Sequence, residues 1–289
     1  MKTLIFGATG LLGKALMRTW PASEPVVGLG SRDADIRSVE QVEYAVKANA
    51  PEWIVLAAAY TDVDGCETNQ QLAWDVNCAG AVNVVKAASQ FGARVVFLST
   101  DYVFDGTKRT PYETWDPRAA RAVYGKTKAA AEEQILDWMP ECCVLRTSWV
   151  FGLGGKCFPD TILKLAATRS ELEVVDDQRG CPTYTVDLAR AIRQLTERGA
   201  KGIVHATNCG ECTWYEFARE IVREARLTAN VKPTTTEKFV RPAERPRYSV
   251  LSSASLEELG VEMPTWQGAL KRYLLERGGS GPSLSPRLG

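Results

Sequence analysis

Short apolar runs alternate with longer stretches in which apolar residues recur at helical spacing. The apolar runs, rich in valine, isoleucine and leucine, predict buried strands, and the stretches between them predict helices. The predicted order is strand 2–6, helix 11–20, strand 25–29, helix 38–48, strand 53–58, helix 70–90, strand 94–99, helix 119–138 and strand 143–147. Such alternation builds βαβ units, so the sequence predicts an α/β fold with a doubly wound parallel sheet of the Rossmann type.

The pattern loosens after Val150, where weaker elements follow one another less regularly. They are helix 158–169, strand 172–175, helix 185–196, strand 202–207 and one or two helices near Leu256 and Trp266. We therefore expect 1–149 to form a Rossmann domain to which 184–207 returns. Residues 150–183 and 208–277 are expected to form a smaller, interleaved α+β substrate-binding region. The Gly-, Ser- and Pro-rich end, 278–289, predicts a disordered tail.

A glycine-rich turn stands between the first predicted strand and the first predicted helix. Its sequence, Gly7-Ala8-Thr9-Gly10-Leu11-Leu12-Gly13, has the G-x-x-G-x-x-G spacing. Glycines permit a tight turn and a close approach of the backbone to a pyrophosphate, and the helix N-terminus offers N–H groups and a positive dipole. The position of the motif predicts a dinucleotide site.

The second predicted strand ends without the acidic residue that usually binds the ribose 2′-hydroxyl of NAD. Leu29 is followed by Gly30, Ser31 and Arg32, and an arginine here can pair with the 2′-phosphate of NADPH. A solvated surface arginine is the alternative. The sequence therefore favours NADPH, with NADH possible.

Tyr124 and Lys128 are four residues apart in a predicted helix, so their side chains share one helix face. A nearby ammonium favours the phenolate, so we expect Lys128 to lower the pKa of Tyr124 and make it a usable proton donor to a carbonyl. The preceding strand ends in Ser99 and Thr100, whose hydroxyls are expected at the carboxyl edge of the sheet. This arrangement predicts carbonyl reduction.

Composition narrows the partners and the compartment. The 35 basic and 35 acidic residues cancel, and no basic block follows a nucleic-acid backbone, so no nucleic-acid partner is expected. The N-terminal apolar run is too short for a signal sequence or membrane span, which predicts a cytoplasmic protein with no membrane partner. The eight cysteines suit reduced thiols. Cys209-x-x-Cys212 has the spacing of a redox pair or of half a zinc site, but no second pair follows and His205 is the only histidine, so no metal site is expected.

Several segments together resemble the dTDP-4-dehydrorhamnose reductase family of extended short-chain dehydrogenase/reductases, over roughly residues 2–275. The most specific are S-T-D-Y-V-F-D-G at 99–106 and R-T-S-W at 146–149. The others are 7–13, 57–64, 124–128, 177–183 and 245–249.

The resemblance implies a set of cofactor-binding positions. It places Gly10, Leu11 and Leu12 at the pyrophosphate, Asp35 and Ile36 beside the adenine, and Ala59, Tyr60 and Thr61 on the nicotinamide side. Residues expected to complete this set are Gly7, Thr9, Gly13, Ser31, Arg32, Ala57, Ala58 and Asn77, the last supporting the lysine.

For the reaction, the resemblance implies that Tyr124 donates the proton, Thr100 hydrogen-bonds the carbonyl and Lys128 holds the cofactor as well as tuning Tyr124. Asp101, Trp149 and Val63 match positions at the substrate.

The implied activity is NADPH-dependent reduction of the C4 ketone of a nucleotide-linked deoxysugar, with dTDP-4-dehydro-L-rhamnose as the expected substrate. Two alternatives stay open: another sugar-nucleotide enzyme of this fold, such as an epimerase or dehydratase, and a non-catalytic subunit similar to the regulatory beta subunit of methionine adenosyltransferase. Leu56, Gly30 and Ala15 depart from the family pattern. Because Ala15 offers no carboxylate, a metal-bridged dimer is not expected, and both a monomer and a homodimer remain open.

Overall fold

Six parallel strands form the central sheet of the computed structural model, which describes residues 1–279. Across the sheet they are β2 (Val26–Leu29), β1 (Thr3–Phe6), β3 (Trp53–Leu56), β4 (Arg94–Thr100), β5 (Cys143–Thr147) and β10 (Gly202–His205), numbered in chain order. Every pairing between neighbours is parallel. The predicted doubly wound sheet is confirmed.

Helices cover both faces of this sheet, which is why its strands are apolar throughout. Leu4 and Phe6 point into one apolar core, and Ile5 between them points into the other. The first core lies under α2 (Val39–Asn49), α5 (Ala81–Gln90) and α6 (Val123–Trp138), and the second under α1 (Leu11–Thr19) and α8 (Thr185–Glu197). The sheet therefore has a topological switch point between β1 and β3, where ligands of such folds bind.

A continuous helical stretch leads into α5, as the sequence predicts. It comprises α4 (Gln70–Trp74), a π-helical turn (Asp75–Gly80) and α5 itself. A short helix that the sequence pattern did not indicate, α3 (Val63–Thr68), precedes it.

The elements outside the central sheet include three short two-stranded sheets and three longer helices. The pairs are β6 (Val150–Phe151) with β9 (Thr183–Tyr184), β7 (Glu171–Val175) with β12 (Asn230–Thr234), and β8 (Arg179–Gly180) with β11 (Cys212–Thr213). The helices are α7 (Phe158–Ala166), α9 (Trp214–Glu224) and α11 (Trp266–Gly279), with the short α10 (Ala254–Glu257) before α11. Phe151, Tyr184, Phe217 and Tyr273 fill the core between them.

Four predicted boundaries are wrong by two residues or more. The helix expected from 119 begins at Val123, and the helix expected over 158–169 ends at Ala166. The strands expected over 53–58 and 202–207 end at Leu56 and His205. Helix α11 runs to Gly279, so the first two residues of the predicted tail are helical, and the remainder, 280–289, lies outside the described residues. The division of the chain into two regions stays a proposal. Within 1–279, no helix combines the length and apolarity needed to cross a membrane.

Candidate active site

The β1–α1 turn lies directly against the loop that follows β3. Gly7 has φ +88°, and a β-carbon there would stand 2.5 Å from the Ala58 nitrogen. A β-carbon at Gly13 would stand 2.1 Å from the Gly7 carbonyl oxygen. Both positions require glycine, and their close packing brings the glycine turn and the alanine run Ala57–Ala59 together at the switch point of the sheet.

The N-terminus of α1 is open to an anion. Its N-cap residue, Gly10, provides no side-chain hydrogen bond, and the first turn, which begins with Leu11 and Leu12, contains no acidic residue. The unpaired N–H groups and the positive end of the helix dipole therefore remain available to a phosphate group. These features fit the pyrophosphate of a dinucleotide.

The end of β2 holds an acidic residue that the sequence reading passed over. Asp33 Oδ2 accepts a hydrogen bond from the Gly30 nitrogen at 2.8 Å. Thr9 packs against Gly30, because a β-carbon added to Gly30 would lie 2.8 Å from Thr9 Cγ2. Ser31 and Arg32 are exposed beside this turn. The structure thus brings the predicted 2′-phosphate residues next to Thr9, with a carboxylate one residue away.

The two residues expected beside the adenine differ in their accessibility. Asp35 pairs with Arg37 at 2.5 Å, and this guanidinium holds the pKa of Asp35 below its usual value. Ile36 is only 5% exposed and belongs to the apolar core, where its side chain packs on Gly80. Ile36 therefore offers little surface to a ligand.

Asn77 fixes the end of the alanine run. Its Oδ1 accepts a hydrogen bond from the Tyr60 nitrogen at 2.8 Å, and its Nδ2 donates to the Tyr60 carbonyl at 3.1 Å. The same Nδ2 donates to Thr127 Oγ1 at 3.2 Å. Asn77 was expected to support Lys128, and the contact found is with the neighbouring Thr127. The π-helical turn that carries Asn77 is a feature often found at functional sites.

Helix α6 approaches the end of β4 because two residues allow it. A β-carbon at Gly125 would stand 2.1 Å from the Tyr102 carbonyl oxygen, so only glycine permits this packing. Glu67 of α3 accepts a hydrogen bond from the Val123 nitrogen at 2.8 Å and caps a helix whose own N-cap makes none. Together these contacts place Tyr124 beside Thr100.

Three predicted site residues lie together at the end of β4. The Thr100 hydroxyl donates a hydrogen bond to Asp101 Oδ1 at 3.0 Å. The Thr100 oxygen accepts a hydrogen bond from the Tyr102 nitrogen at 3.2 Å, and the Tyr102 ring lies 5.7 Å from the Tyr124 ring. Thr100 is therefore bonded to the carboxyl and lowers the pKa of the neighbouring phenol.

The electrostatics of Tyr124 differ from the expectation. Burial raises the pKa of Tyr124 above its ordinary value, while the Thr100 hydroxyl lowers it and the Asp101 charge raises it. Lys128 was expected to lower this pKa. Burial instead lowers the pKa of Lys128 itself to about 7, and its Nζ lies 3.9 Å from the centroid of the Phe97 ring. Removal from water penalises the charged form of each group.

A buried ion pair lies one helical turn beyond Lys128. Glu132 accepts from Arg146 Nη2 at 2.6 Å and from the Ser99 hydroxyl at 2.5 Å, and neither charged side chain is more than 1% exposed. Ser99 thus points away from Thr100, because successive residues of a strand face opposite sides. His205 lies against Arg146, and burial lowers the pKa of His205 to about 3.

Trp149 has a backbone conformation that bulky residues rarely adopt, with φ +46°. Such conformations cost about 1–3 kcal/mol and cluster at functional sites. The Trp149 ring stacks on Trp214 with 3.5 Å between ring centroids and 7° between ring planes, and Gly180 leaves the space for it. Trp214 was not predicted, although the T-x-x-E capping box at the start of α9 could have indicated its helix.

A cavity of about 1380 Å³ opens beside this group. It reaches Tyr102, whose ring lies 5.7 Å from that of Tyr124, and it includes Trp214 and Phe158. Basic side chains outnumber acidic ones in its lining, and these basic residues are Lys108, Arg109, Arg121, Arg179, Arg241, Arg245 and Arg247. The cavity is therefore suited to a molecule that carries both negative charge and a flat ring.

The loop after the alanine run leads to a contact with the segment around Arg245. Thr61 is exposed, Val63 is half-buried, and Asp64 accepts hydrogen bonds from Arg245 Nη1 at 2.6 Å and from the Ala243 nitrogen at 3.2 Å. These contacts hold the pKa of Asp64 below its usual value, although burial opposes them. The cofactor side of the site is thus tied to a wall of the cavity.

All eight cysteines are free thiols, and only Cys209 is exposed. Its Sγ donates to the Met263 carbonyl at 2.9 Å, while Cys212 is buried. In the described part of the chain, no cluster of three or more histidine, cysteine, aspartate or glutamate side chains could hold a metal ion.

Comparison with known proteins establishes the family of this chain. The profile described as "RmlD substrate binding domain" matches residues 1–277. The chain belongs to this family. Among RmlD-family relatives, the chain is 41% identical over 277 residues to the "Spore coat polysaccharide biosynthesis protein SpsK" of Bacillus subtilis, covering 96% of this chain and 98% of that protein.

Two further relatives carry names that describe a reaction. The chain is 38% identical over 261 residues to a "dTDP-4-keto-6-deoxy-D-glucose reductase" of Streptomyces niveus, covering 89% of this chain and 91% of that protein. It also superimposes on a dTDP-4-dehydrorhamnose reductase of Bacillus anthracis solved in complex with NADP, with a TM-score of 0.93, 37% identity, and 96% and 100% of the two chains covered. The family predicted from the sequence is confirmed.

Proposed function

We propose that this chain reduces the C4 ketone of a dTDP-linked 6-deoxysugar, with dTDP-4-dehydro-L-rhamnose as substrate and dTDP-L-rhamnose as product. The observation that carries the proposal is the close packing of the Tyr124 helix on the turn that follows Thr100, beside a cavity in which basic side chains outnumber acidic ones. A proton donor and a second hydroxyl at one place are what a ketone oxygen needs as it becomes an alcohol.

Assignment to the NADPH-dependent reductases, predicted from the sequence, is confirmed by relatives that include a dTDP-sugar reductase and an NADP-bound structure. The uncapped N-terminus of α1 fits the pyrophosphate, and Arg32 is available to the 2′-phosphate. NADPH, when bound, supplies the hydride that the ketone carbon accepts.

Substrate recognition is assigned to the cavity. Its excess of arginine and lysine suits the diphosphate of a nucleotide sugar, because a guanidinium binds phosphate oxygens in a bidentate manner. Trp214 and Phe158 offer apolar surface to the base or the sugar. Asp101, next to Tyr102 of the cavity wall, is assigned to the sugar hydroxyls.

Tyr124 delivers the proton. Burial keeps its phenol protonated at neutral pH, so that the proton is present when the substrate arrives. Thr100 orients the ketone oxygen through a second hydrogen bond. Asn77 and Gly125 act at a distance from the reacting atoms: Asn77 fixes the Tyr60 peptide, and Gly125 lets α6 approach Thr100.

The test supplies dTDP-4-dehydro-L-rhamnose with NADPH and follows both the loss of nicotinamide absorbance and the formation of the alcohol. One NADPH should be consumed per product. Tyr124→Phe removes a single hydroxyl and should lower kcat by about two to four decades while fold and NADPH binding persist.

Stoichiometric release of oxidised cofactor also separates this proposal from its alternatives. An epimerase or dehydratase recycles the hydride and leaves NADPH unconsumed, and a regulatory subunit reduces nothing. A Tyr124→Phe variant that reduces the keto-sugar at the parent rate would show that Tyr124 is not the donor.

A further inference from the structure

The glycine-rich loop 152–156 crosses the N-terminus of α1. It connects β6 to α7 and has the sequence Gly-Leu-Gly-Gly-Lys. A β-carbon added to Gly155 would stand 3.1 Å from Leu11 Cδ1 and 4.0 Å from Leu11 Cα, so the loop backbone packs directly on the first residue of α1. This is the helix end whose unpaired N–H groups are available to the cofactor pyrophosphate.

Lys14 ties the loop to the helix. Its Nζ donates a hydrogen bond to the Gly154 carbonyl oxygen at 2.6 Å, across 140 positions of the sequence. Gly154 has φ +91°, and a β-carbon there would stand 2.8 Å from Lys14 Cδ. Glycine at this position therefore serves both the backbone conformation and the passage of the lysine stem. The loop is held against α1 by contacts at two successive residues, Gly154 and Gly155.

Two lysine cations lie close to the positive end of the α1 dipole. Lys14 is the fourth residue of α1, and Lys156 is exposed at the end of the loop. The first turn of α1 contains no acidic residue. Within residues 1–279 the lysines that form ion pairs are Lys108, Lys232 and Lys271, so neither of these two is paired with a carboxylate. An anion at this place would be stabilised by the helix dipole and by both cations.

Two anions of the proposed reaction carry a diphosphate, namely the cofactor and the nucleotide sugar. The cavity assigned to the nucleotide sugar includes Phe158 and Thr161 of α7 but no residue of the loop 152–156. The loop instead packs on Leu11, at the helix end assigned to the cofactor. The position of the loop therefore favours the pyrophosphate of the cofactor.

We propose that Lys156 is a cofactor-binding residue whose ammonium contacts the pyrophosphate of NADPH, and that the contact between Lys14 and Gly154 holds the loop where this is possible. The proposal rests on the placement of the cofactor in the proposed function. Lys156 follows Gly155 directly, so their Cα atoms are about 3.8 Å apart. The flexible four-carbon stem of lysine can extend from there to a phosphate at the end of α1. Lysine binds phosphate as a point charge, which suits a loop that approaches the phosphate from one side.

The Lys156→Met variant tests the contact, because it removes the charge and keeps the length of the side chain. We expect the Kd for NADPH, measured by isothermal titration calorimetry without substrate, to rise about five- to twentyfold. The Kd for dTDP should stay within about twofold of the parent value. Lys156→Arg keeps the charge and should restore most of the affinity for NADPH. Lys164→Met, the same change at an exposed position on α7, is the control and should leave both Kd values unchanged.

The ratio of the affinities for NADPH and NADH separates the pyrophosphate from the 2′-phosphate. Both cofactors contain the pyrophosphate, and only NADPH carries the 2′-phosphate. Lys156→Met should therefore weaken the binding of both cofactors by the same factor and leave the ratio of their Kd values at that of the parent. Arg32→Ala, by contrast, should change this ratio.

Gly154→Ala tests whether the loop has to lie on α1. Alanine is strained at φ +91°, and its β-carbon would clash with the Lys14 stem, so we expect the Kd for NADPH to rise about threefold or more. Gly260→Ala is the matched control, because Gly260 also has a positive φ, +67°, and a β-carbon there would meet nothing within 4 Å. That variant bears a similar backbone strain and should bind NADPH as the parent does.

An unchanged Kd for NADPH in the Lys156→Met variant would overturn the proposal. A rise confined to the Kd for dTDP would assign Lys156 to the nucleotide sugar, and a changed ratio of NADPH to NADH affinity would assign it to the 2′-phosphate. Either result would equally overturn the proposal. None of these measurements contains the keto-sugar. A parent protein that binds NADPH through Lys156 but does not reduce the keto-sugar would therefore refute the proposed function and support this assignment.

Discussion

Gly125 lies so close to Tyr102 that a β-carbon added to it would stand 2.1 Å from the Tyr102 carbonyl oxygen. Backbone cannot move aside as the end of a flexible side chain can. The single missing methyl group therefore sets the distance between α6, which carries Tyr124 and Lys128, and the turn that carries Thr100 and Asp101.

Gly125→Ala should consequently lower both stability and activity. In an open helix position, alanine in place of glycine stabilises by about 1 kcal/mol. Here the clash with the Tyr102 carbonyl outweighs that gain. We expect the free energy of unfolding to fall by about 1–3 kcal/mol and kcat to fall at least tenfold. Urea unfolding and steady-state kinetics measure the two effects.

Gly278→Ala is the matched control. Gly278 is also helical, in α11, and a β-carbon there would meet nothing within 4 Å. That variant should be at least as stable as the parent and fully active. Equal stability and activity of the Gly125→Ala and Gly278→Ala variants would mean that the approach of α6 to Tyr102 is not required.

Elements with a strong local signal were predictable from the sequence. The apolar runs gave every strand of the central sheet, because a strand buried on both faces must be apolar throughout. The turn 7–13 and the Tyr124-to-Lys128 spacing indicated candidate site residues, because the geometry of both motifs is local. The family resemblance then supplied Asp101 and Trp149.

What the sequence could not supply depends on contacts between distant segments. Asp64 pairs with Arg245, and Glu67 caps α6, across gaps in the chain that no periodicity reveals. The pKa of Tyr124 was expected to fall because Lys128 is near in sequence, and burial, which only the fold determines, raises it. Trp214 likewise enters the site only because α9 packs beside Trp149.

Asp64→Asn should weaken substrate binding specifically. The change keeps the size of the side chain but removes the charge that holds Arg245 at 2.6 Å in the cavity wall. Since both side chains are partly exposed, we expect the KM for the nucleotide sugar to rise about five- to tenfold, with the KM for NADPH within about twofold. Initial rates with each substrate varied in turn measure both values. The idea fails if the KM for NADPH rises instead.

Arg32→Ala should narrow the preference for NADPH over NADH. Arg32 is exposed beside Thr9 and Gly30, where the 2′-phosphate is proposed to lie. Loss of one charge-assisted contact should reduce the ratio of kcat/KM for NADPH to that for NADH by about tenfold. Arg37→Ala removes a neighbouring arginine that is already paired with Asp35 and should change this ratio much less. Equal use of the two cofactors by the parent would contradict the role of Arg32.

Lys128→Met should make the protein inactive and, at neutral pH, more stable. Burial lowers the pKa of Lys128 from 10.5 to about 7, so the folded state disfavours the charged form. Between these two pH values the unfolded chain holds a proton that the folded chain lacks, and the stability of the parent therefore rises with pH. Methionine has nothing to titrate and fills the same space. Each pKa unit by which burial lowers the pKa of Lys128 costs the charged parent about 1.4 kcal/mol of stability. At pH 6.5 we therefore expect the variant to be more stable than the parent by about 1–4 kcal/mol.

The pH dependence of this difference makes the test specific. The advantage of Lys128→Met should shrink by about 2 kcal/mol between pH 6.5 and 9, because the parent no longer has to hold the charge. His205 is the only histidine and has a pKa of about 3, so it cannot account for such a change. Lys126→Met, at an exposed position two residues earlier on α6, should show no comparable gain. Urea unfolding of the parent and of both variants at pH 6.5 and 9 gives the difference in unfolding free energy between each variant and the parent at each pH. A Lys128→Met variant that is less stable than the parent, or whose advantage does not change with pH, would mean that Lys128 is not held in the disfavoured charged form at neutral pH.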